Sequence, residues 1–208
     1  KNNNFPKKKI IFGNLIEKLR YGENPHQQAA IYSKTQSLKI KQIHGKQLSY
    51  NNYNDIFSAL TISKSLTKNL GTVIVKHANP CGVSIDKNIL KSYQLALACD
   101  PISAFGGVVS CNYKINKTLA IELNNIFLEV IIANGFNRDA LKILKKKKNL
   151  RLIDATNLSL KNIISFNSTD NSFLTQSEDI EKFNIKNFKI VSKRKPTKSQ
   201  LRNLIFAF

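Results

Sequence analysis

From about residue 51 onward, short apolar runs alternate with longer amphipathic stretches. Gly71-Thr72-Val73-Ile74-Val75 is brief, β-branched and bounded by glycine, so it reads as a buried strand. Before it, Asn54-Asp55 are placed to cap a helix carrying Ile56, Ala59, Leu60 and Leu66 on or near one face. After it, Ser84 is the expected cap of a second helix, whose apolar side is Ile89, Leu90, Tyr93, Ala96 and Leu97 and which Asp100-Pro101 ends. Gly106-Gly107 leads into a strand ending at Cys111, and Asn116 opens a helix through Leu119, Leu123 and Ile126. Residues 129–133 are again strand-like, Asn134-Gly135 is a turn, Asn137 caps residues 140–144, and residues 150–153 form a last strand. Repeated strand–helix units of this kind predict a layered α/β domain.

The flanking parts carry weaker periodicity. Residues 29–32 and 38–43 resemble two strands, preceded by the polar loop from Arg20 to Gln27. Residues 155–190 are rich in Ser, Asn and Asp and read as a connecting segment or peripheral structure, and Pro196-Thr197 reopens a helix. The expected division is a linker remnant at 1–10, a first α/β domain at 11–155, a connection at 156–195 and the start of a second, truncated domain at 196–208. On this reading the chain is a fragment of a longer protein.

A formal net charge of +20 over 208 residues invites a nucleic-acid or membrane-surface function. The cations are mostly lysine, scattered along the chain with abundant asparagine and isoleucine, as a strongly AT-rich coding sequence favours. The densest run, Lys145-Lys146-Lys147-Lys148, follows a helix whose carboxyl end favours cations, and no aromatic residue interleaves with it as a stacking platform. The charge therefore reads as solvated surface, with a basic nucleic-acid-binding module as the alternative. Cys81, Cys99 and Cys111 form no disulfide-like array, which suits a reducing compartment. No stretch is long and apolar enough to span a bilayer, so the cytoplasm is the expected location, with no membrane partner.

The chemistry concentrates in Lys76-His77-Ala78-Asn79-Pro80-Cys81-Gly82, where the buried run breaks off. Asn79-Pro80 and Gly82 are expected to turn the chain sharply, leaving Lys76 and His77 at a carboxyl strand end, where open α/β sheets bind ligands. A neutral imidazole can accept a proton near pH 7, and a neighbouring ammonium can stabilise an oxyanion or protonate a leaving nitrogen. The alternative is a histidine satisfied at a strand end beside a solvated lysine. Zinc deaminases need His-x-Glu and Pro-Cys-x-x-Cys; the residue two after His77 is Asn79, and no second cysteine follows Cys81 at that spacing. That metal site is absent, as are a Walker loop and a Gly-x-Gly-x-x-Gly fingerprint. Cys81 reads as a small residue packed in a turn rather than a nucleophile. Arg20 and Tyr21, near Asn24 and His26, could grip a phosphate or carboxylate, or simply form a structural polar loop.

Taken together, Leu19-Arg20-Tyr21-Gly22-Glu23-Asn24-Pro25-His26-Gln27 and the Lys76–Gly82 motif closely resemble the transformylase domain of the bifunctional purine biosynthesis proteins, which join AICAR formyltransferase to IMP cyclohydrolase. Leu48-Ser49-Tyr50-Asn51-Asn52, Asp100-Pro101-Ile102-Ser103-Ala104-Phe105-Gly106-Gly107, Glu129-Val130-Ile131-Ile132-Ala133 and Arg194-Lys195-Pro196-Thr197 fit in the same order. The resemblance implies a cytidine-deaminase-like layered α/β fold without zinc, followed by the start of a second such domain. It implies transfer of the formyl group of the cosubstrate 10-formyltetrahydrofolate to the 5-amino group of AICAR, with no metal. By motif, His77 is the implied base and Lys76 the implied transition-state stabiliser. Arg20, Tyr21, His26, Asn52, Phe105, Gly106 and Glu129 are the implied AICAR contacts. Asn134 stands where the family usually has proline. A homodimer with its site at the interface is implied, as is a cyclohydrolase domain before Lys1. The fragment alone is expected to be weakly active or inactive, with most folate contacts beyond Phe208.

Overall fold

Each strand of the central sheet alternates its side chains between two helical layers, and that alternation organises the first of the chain's two compact units. The computed structural model describes residues 6–158, 164–177, 179, 184 and 188–207, and divides into units at 1–160 and 161–208. In the first unit, β1 (Asn14–Leu19) and β2 (Ala29–Ser33) form an antiparallel hairpin. A six-stranded mixed sheet contains β3 (Lys41–His44), β4 (Gly71–Lys76), β5 (Asn79–Ile85), β6 (Gly107–Cys111), β7 (Leu128–Ala133) and β8 (Arg151–Asp154) in the order β3-β8-β7-β6-β4-β5. The neighbours β6, β7 and β8 run parallel, whereas β4 is antiparallel to both β5 and β6, and β3 is antiparallel to β8.

Helix α1 (Tyr50–Ser65) covers one face, where Ile56, Ala59 and Leu60 bury against Val73, Val75, Val108, Val130, Ile132 and Ile153. Helices α2 (Ile89–Cys99), α3 (Lys117–Leu123) and α4 (Arg138–Leu144) cover the other, packing Tyr93, Ala96, Leu119, Ala120, Leu123, Ala140 and Leu144 against Ile74, Val109, Ile131 and Leu152. Successive residues 73–75, 108–109, 130–132 and 152–153 thus enter opposite cores, as the period of two in a strand requires. Because both faces are covered, the strands read as near-continuous apolar runs. The fold is a mixed α/β sheet flanked by helices.

Three local expectations are corrected. Asn54-Asp55 do not cap α1; the cap is Ser49, whose Oγ accepts from the Asn52 amide at 3.2 Å while Asn52 Oδ1 accepts from the Ser49 amide at 3.1 Å. That reciprocal capping box starts the helix five residues earlier than a cap at Asn54 would. Ser84 lies in β5, and Asn88 caps α2 by accepting from the Leu90 and Lys91 amides. Asn79-Pro80 and Gly82 form no turn: they belong to β5, and the reversal is made by His77 and Ala78. Pro80 is tolerated because β5 is an edge strand. Gly82 is required by packing, since a Cβ there would lie 2.0 Å from the Ala96 carbonyl oxygen of α2. Cys81 accordingly sits in a strand, not a turn.

Asn116 caps α3 as expected, accepting from the Leu119 amide, and Asp100 ends α2. Lys147 in the basic run donates to the Asn124 and Ile126 carbonyls at 2.7 and 2.9 Å, closing the loop between α3 and β7. Asn134 ties two segments, accepting from Lys64 Nζ and donating to the Asn112 carbonyl, each at 2.7 Å.

The second unit contains an antiparallel hairpin of β9 (Ile164–Ser168) and β10 (Phe173–Ser177) and a helix, α5 (Lys198–Ala207). The hairpin falls within the stretch expected to be connecting or peripheral; part of that stretch, including residues 180–183 and 185–187, lies outside the described residues. Helix α5 follows Thr197, whose Oγ1 accepts from the Gln200 amide. Among the described residues no helix is long and apolar enough to cross a membrane.

Candidate active site

A cleft of about 470 Å³ opens at one end of the six-stranded sheet of the first unit. Lys76 and His77 reach it from the carboxyl end of β4. Its other strand-borne residues come from amino ends: Glu129 is the second residue of β7 and Arg151 the first of β8, with Gly106 immediately before β6. The carboxyl-end rule for open parallel sheets therefore holds for Lys76 and His77 but not for the other strand-borne residues. The reason is topological: β4 runs against β6, so its carboxyl end lies beside the amino end of β6 and at the same end of the sheet as the amino ends of β7 and β8, which run parallel to β6.

Helix α1 supplies the near wall. Asn52, held in the capping box by its Oδ1, has its Nδ2 free to donate to Glu129 Oε2 at 2.8 Å. The same carboxylate oxygen lies 3.8 Å from an Arg151 guanidinium nitrogen, and Arg151 Nε donates to the Gln47 carbonyl at 3.1 Å. Glu129 is thus oriented from two sides. Burial lowers the pKa of Arg151, and the Glu129 charge opposes that shift.

The β4–β5 turn forms the floor. Lys76 pairs with Asn79 across it, and both intervening residues have positive φ, 53° at His77 and 60° at Ala78. Two-residue hairpins favour this conformation, yet asparagine and glycine normally occupy it because a Cβ strains it. Helix α1 grips the turn at Ala78: Asp55 Oδ1 accepts from the Ala78 amide and Ser58 Oγ donates to the Ala78 carbonyl, both at 2.6 Å. Asn79 Nδ2 adds a bond to the His77 carbonyl at 2.9 Å. The His77 side chain stays exposed. Burial raises the pKa of Asp55, against the lowering effects of the Ala78 amide and the His77 charge.

Lys76 Nζ donates to the Phe105 carbonyl at 2.8 Å, which fixes the ammonium beside Gly106. Gly106 has φ +74°, and its amide donates to the Phe127 carbonyl at 2.8 Å. The Phe105 and Phe127 rings, both more than half exposed, pack with centroids 5.3 Å apart. At the far rim, the Arg20 guanidinium lies 5.6 Å from the Tyr21 ring centroid. The Arg20–Gln27 loop is closed by Gly22 N–H to the Gln27 carbonyl at 2.8 Å.

The cleft therefore brings together Arg20, Tyr21, Asn52, Lys76, His77, Gly106 and Glu129. Phe105 contributes its carbonyl through Lys76 but its ring does not line the cleft. His26 is exposed and lines a neighbouring hollow of about 590 Å³ that shares Arg20. Sequence reasoning missed Lys46, Gln47, Asp55 and Arg151. Asp55 was visible as an acid but read as a helix cap, and Arg151 opens an ordinary strand with no local signal. Cys81 carries no sign of activation: its thiol is half-buried, contacts the Ile74 carbonyl, and has its pKa raised by burial. Among the described residues no three His, Cys, Asp or Glu side chains group as metal ligands.

Arg20, Lys46, Lys76 and Arg151 line the cleft together with Asp55 and Glu129, an excess of cations that favours an anionic ligand. With an imidazole in a strained turn and a fixed ammonium beside it, the first unit is an α/β domain whose cleft suits an anionic ligand. The AICARFT/IMPCHase bienzyme family profile matches residues 1–208, and the chain belongs to that family. It is 40% identical to the bifunctional purine biosynthesis protein PurH of Acetivibrio thermocellus, over 98% of this chain and 41% of that protein. The protein of the same name from Caulobacter vibrioides is 41% identical, over 98% of this chain and 40% of the relative. The one from Bacillus cereus (strain B4264) is 42% identical, over 91% and 38%. The chain thus spans about two fifths of the length of these curated relatives.

Proposed function

We propose that this chain carries part of an AICAR formyltransferase site, within a protein that also has IMP cyclohydrolase activity. The observation that carries the reading is the convergence of Arg20, Tyr21, Asn52, Lys76, His77, Gly106 and Glu129, drawn from segments up to 109 positions apart in the chain, in one cationic cleft. Family membership supports this reaction class.

The substrate is a ribonucleotide whose arylamine is a weak nucleophile. Arg20 binds its phosphate in the planar, forked manner of a guanidinium, and Tyr21 packs beside it. Glu129, aligned by Asn52 and Arg151, accepts from substrate hydroxyl or amide donors. His77, exposed at the turn, removes the amine proton as the nitrogen attacks. Lys76 stabilises the charge on the formyl oxygen or returns a proton to the departing nitrogen; its ammonium is held in place by the Phe105 carbonyl. The formyl donor, 10-formyltetrahydrofolate, supplies the one-carbon unit when bound. The exposed Phe127 ring, which lines the cleft, suits the packing of its flat heteroaromatic ring.

On this reading the domain is cytidine-deaminase-like and works without metal, in the cytoplasm, as a homodimer. The residues near His77 support the metal-free reading, with Asn79 where a hydrolytic deaminase needs glutamate. The test is formyl transfer by the whole protein, followed spectrophotometrically, with His77→Ala expected to abolish turnover and preserve the fold. Wild-type activity in that variant would remove the base assignment. A basic nucleic-acid-binding module would instead bind DNA or RNA with affinity falling steeply in salt.

A further inference from the structure

We propose that Asp55 and Ser58 are positioning residues for His77: from helix α1 they clamp the Ala78 peptide and hold the left-handed β4–β5 turn that presents the imidazole to the cleft. The proposal rests on the reading of His77 as the base. Its grounds are geometric.

A two-residue hairpin with positive φ at both central positions is comfortable for Asn-Gly, whereas this chain places His77-Ala78 there. A strained turn persists where its surroundings over-determine it. The determinants here are specific. The Ala78 peptide groups are taken at both ends, the N–H by Asp55 Oδ1 and the C=O by Ser58 Oγ, each at 2.6 Å. Asp55 and Ser58 lie three residues apart, so both face the same way from one helix. That helix is itself locked to the sheet by buried Ile56, Ala59 and Leu60, and its start is tied to Glu129 through Asn52. The clamp therefore refers the turn to the frame that holds the substrate-facing carboxylate. Asp55 is available for this task because Ser49, four residues before Tyr53 and six before Asp55, performs the capping.

The chemistry explains the choice of groups. A carboxylate accepts from a backbone amide more strongly than a neutral oxygen does. Two residues on, Asn79 closes the remaining carbonyl, that of His77. With all three bonds in place, the imidazole projects from a backbone that cannot relax toward negative φ. Preorganisation of this kind acts on the rate, because misplacing a reacting group by about 1 Å can cost about a hundredfold. A direct substrate contact would instead act on binding.

The experiment uses the whole protein and two separate readouts. Hydrogen exchange of the Ala78 amide reports the clamp without reference to activity, and kcat and KM for AICAR report positioning. Asp55→Ala is expected to speed Ala78 exchange at least about tenfold and to lower kcat about tenfold or more, with KM within about twofold. Ser58→Ala moves both in the same direction by less. Asp55→Asn, which keeps an acceptor oxygen, retains most of the protection and most of kcat. Ala78→Gly added to Asp55→Ala restores part of kcat, because glycine takes positive φ without a Cβ clash. Unchanged Ala78 exchange in folded Asp55→Ala overturns the clamp. Faster exchange with kcat unchanged, or a loss confined to KM, overturns the positioning role. Full activity in His77→Ala overturns it as well, and identifies the base reading as the point of failure when the exchange arm has behaved as expected.

Discussion

Asn52 and Glu129, 77 positions apart, are joined by a 2.8 Å hydrogen bond that uses the one end of the Asn52 amide its helix cap leaves over. A single side chain therefore starts a helix and aligns a cleft carboxylate. Ser49→Ala removes the cap alone and is expected to cost about 1 kcal/mol. Asn52→Ala removes the reciprocal cap and the bond to Glu129, and is expected to cost about 1–2 kcal/mol. Urea midpoints measure both. Only Asn52→Ala should also weaken AICAR binding by calorimetry; equal binding by the two variants would separate Asn52 from the site.

His77→Asn tests the base without disturbing the turn, since asparagine tolerates the left-handed conformation. Turnover is expected to fall by about a hundredfold or more while the urea midpoint stays put. Lys76→Gln keeps a donor for the Phe105 carbonyl and loses the charge, so it should lower kcat with little change in stability. A His77→Asn enzyme within about twofold of wild type would dismiss the imidazole from the chemistry.

The three thiols should react in a fixed order. Cys99 is exposed, Cys81 is half-buried with a raised pKa, and Cys111 is fully buried, its pKa pushed up to about 12 by burial. A thiol reagent at pH 8 is expected to label Cys99 first, Cys81 slowly and Cys111 only on unfolding. Rapid labelling of Cys81 would revive it as a nucleophile.

Tyr53 links the α1 frame to alkaline stability. Its phenol donates to Glu17 at 3.3 Å, and burial, with the Glu17 charge adding to it, pushes its pKa from 10.0 up to about 12. A raised phenol pKa means that the folded state prefers the neutral form. The contribution is fully present below pH 10 and is lost as pH rises from 10 to 12. Tyr53→Phe should flatten the stability curve in that window relative to wild type; an identical slope would assign the alkaline loss to the other buried tyrosines.

The layered α/β architecture was legible because strands buried on both faces are continuous apolar runs, and the 71–75, 106–111 and 129–133 segments all announce themselves that way. Turn chemistry was less legible. Asn79-Pro80 has the composition of a turn, yet the edge position of β5 lets it extend, and helix support lets His77-Ala78 reverse the chain instead. Lys76 and His77 were visible as an unusual pair beside an apolar run. Asp55 and Arg151 were not, because their roles arise from strand order: Val130 must pair with Arg151, and β4 must oppose β6, before either side chain reaches the cleft.

The cleft walls come from a loop at residues 20–21, a helix start at 49–52, a hairpin turn at 76–77 and three strand openings at 106, 129 and 151. A nucleotide touching all of them acts as a non-covalent cross-link between sequence-distant parts of the unit. Saturating AICAR should therefore raise the melting temperature as well as occupy the site, with about 2.7 kcal/mol of added stability at a hundredfold excess over Kd. Because Arg20 lies at one sequence extreme of this ring and Arg151 at the other, the thermal gain should vanish when the backbone is nicked in a way that frees either end.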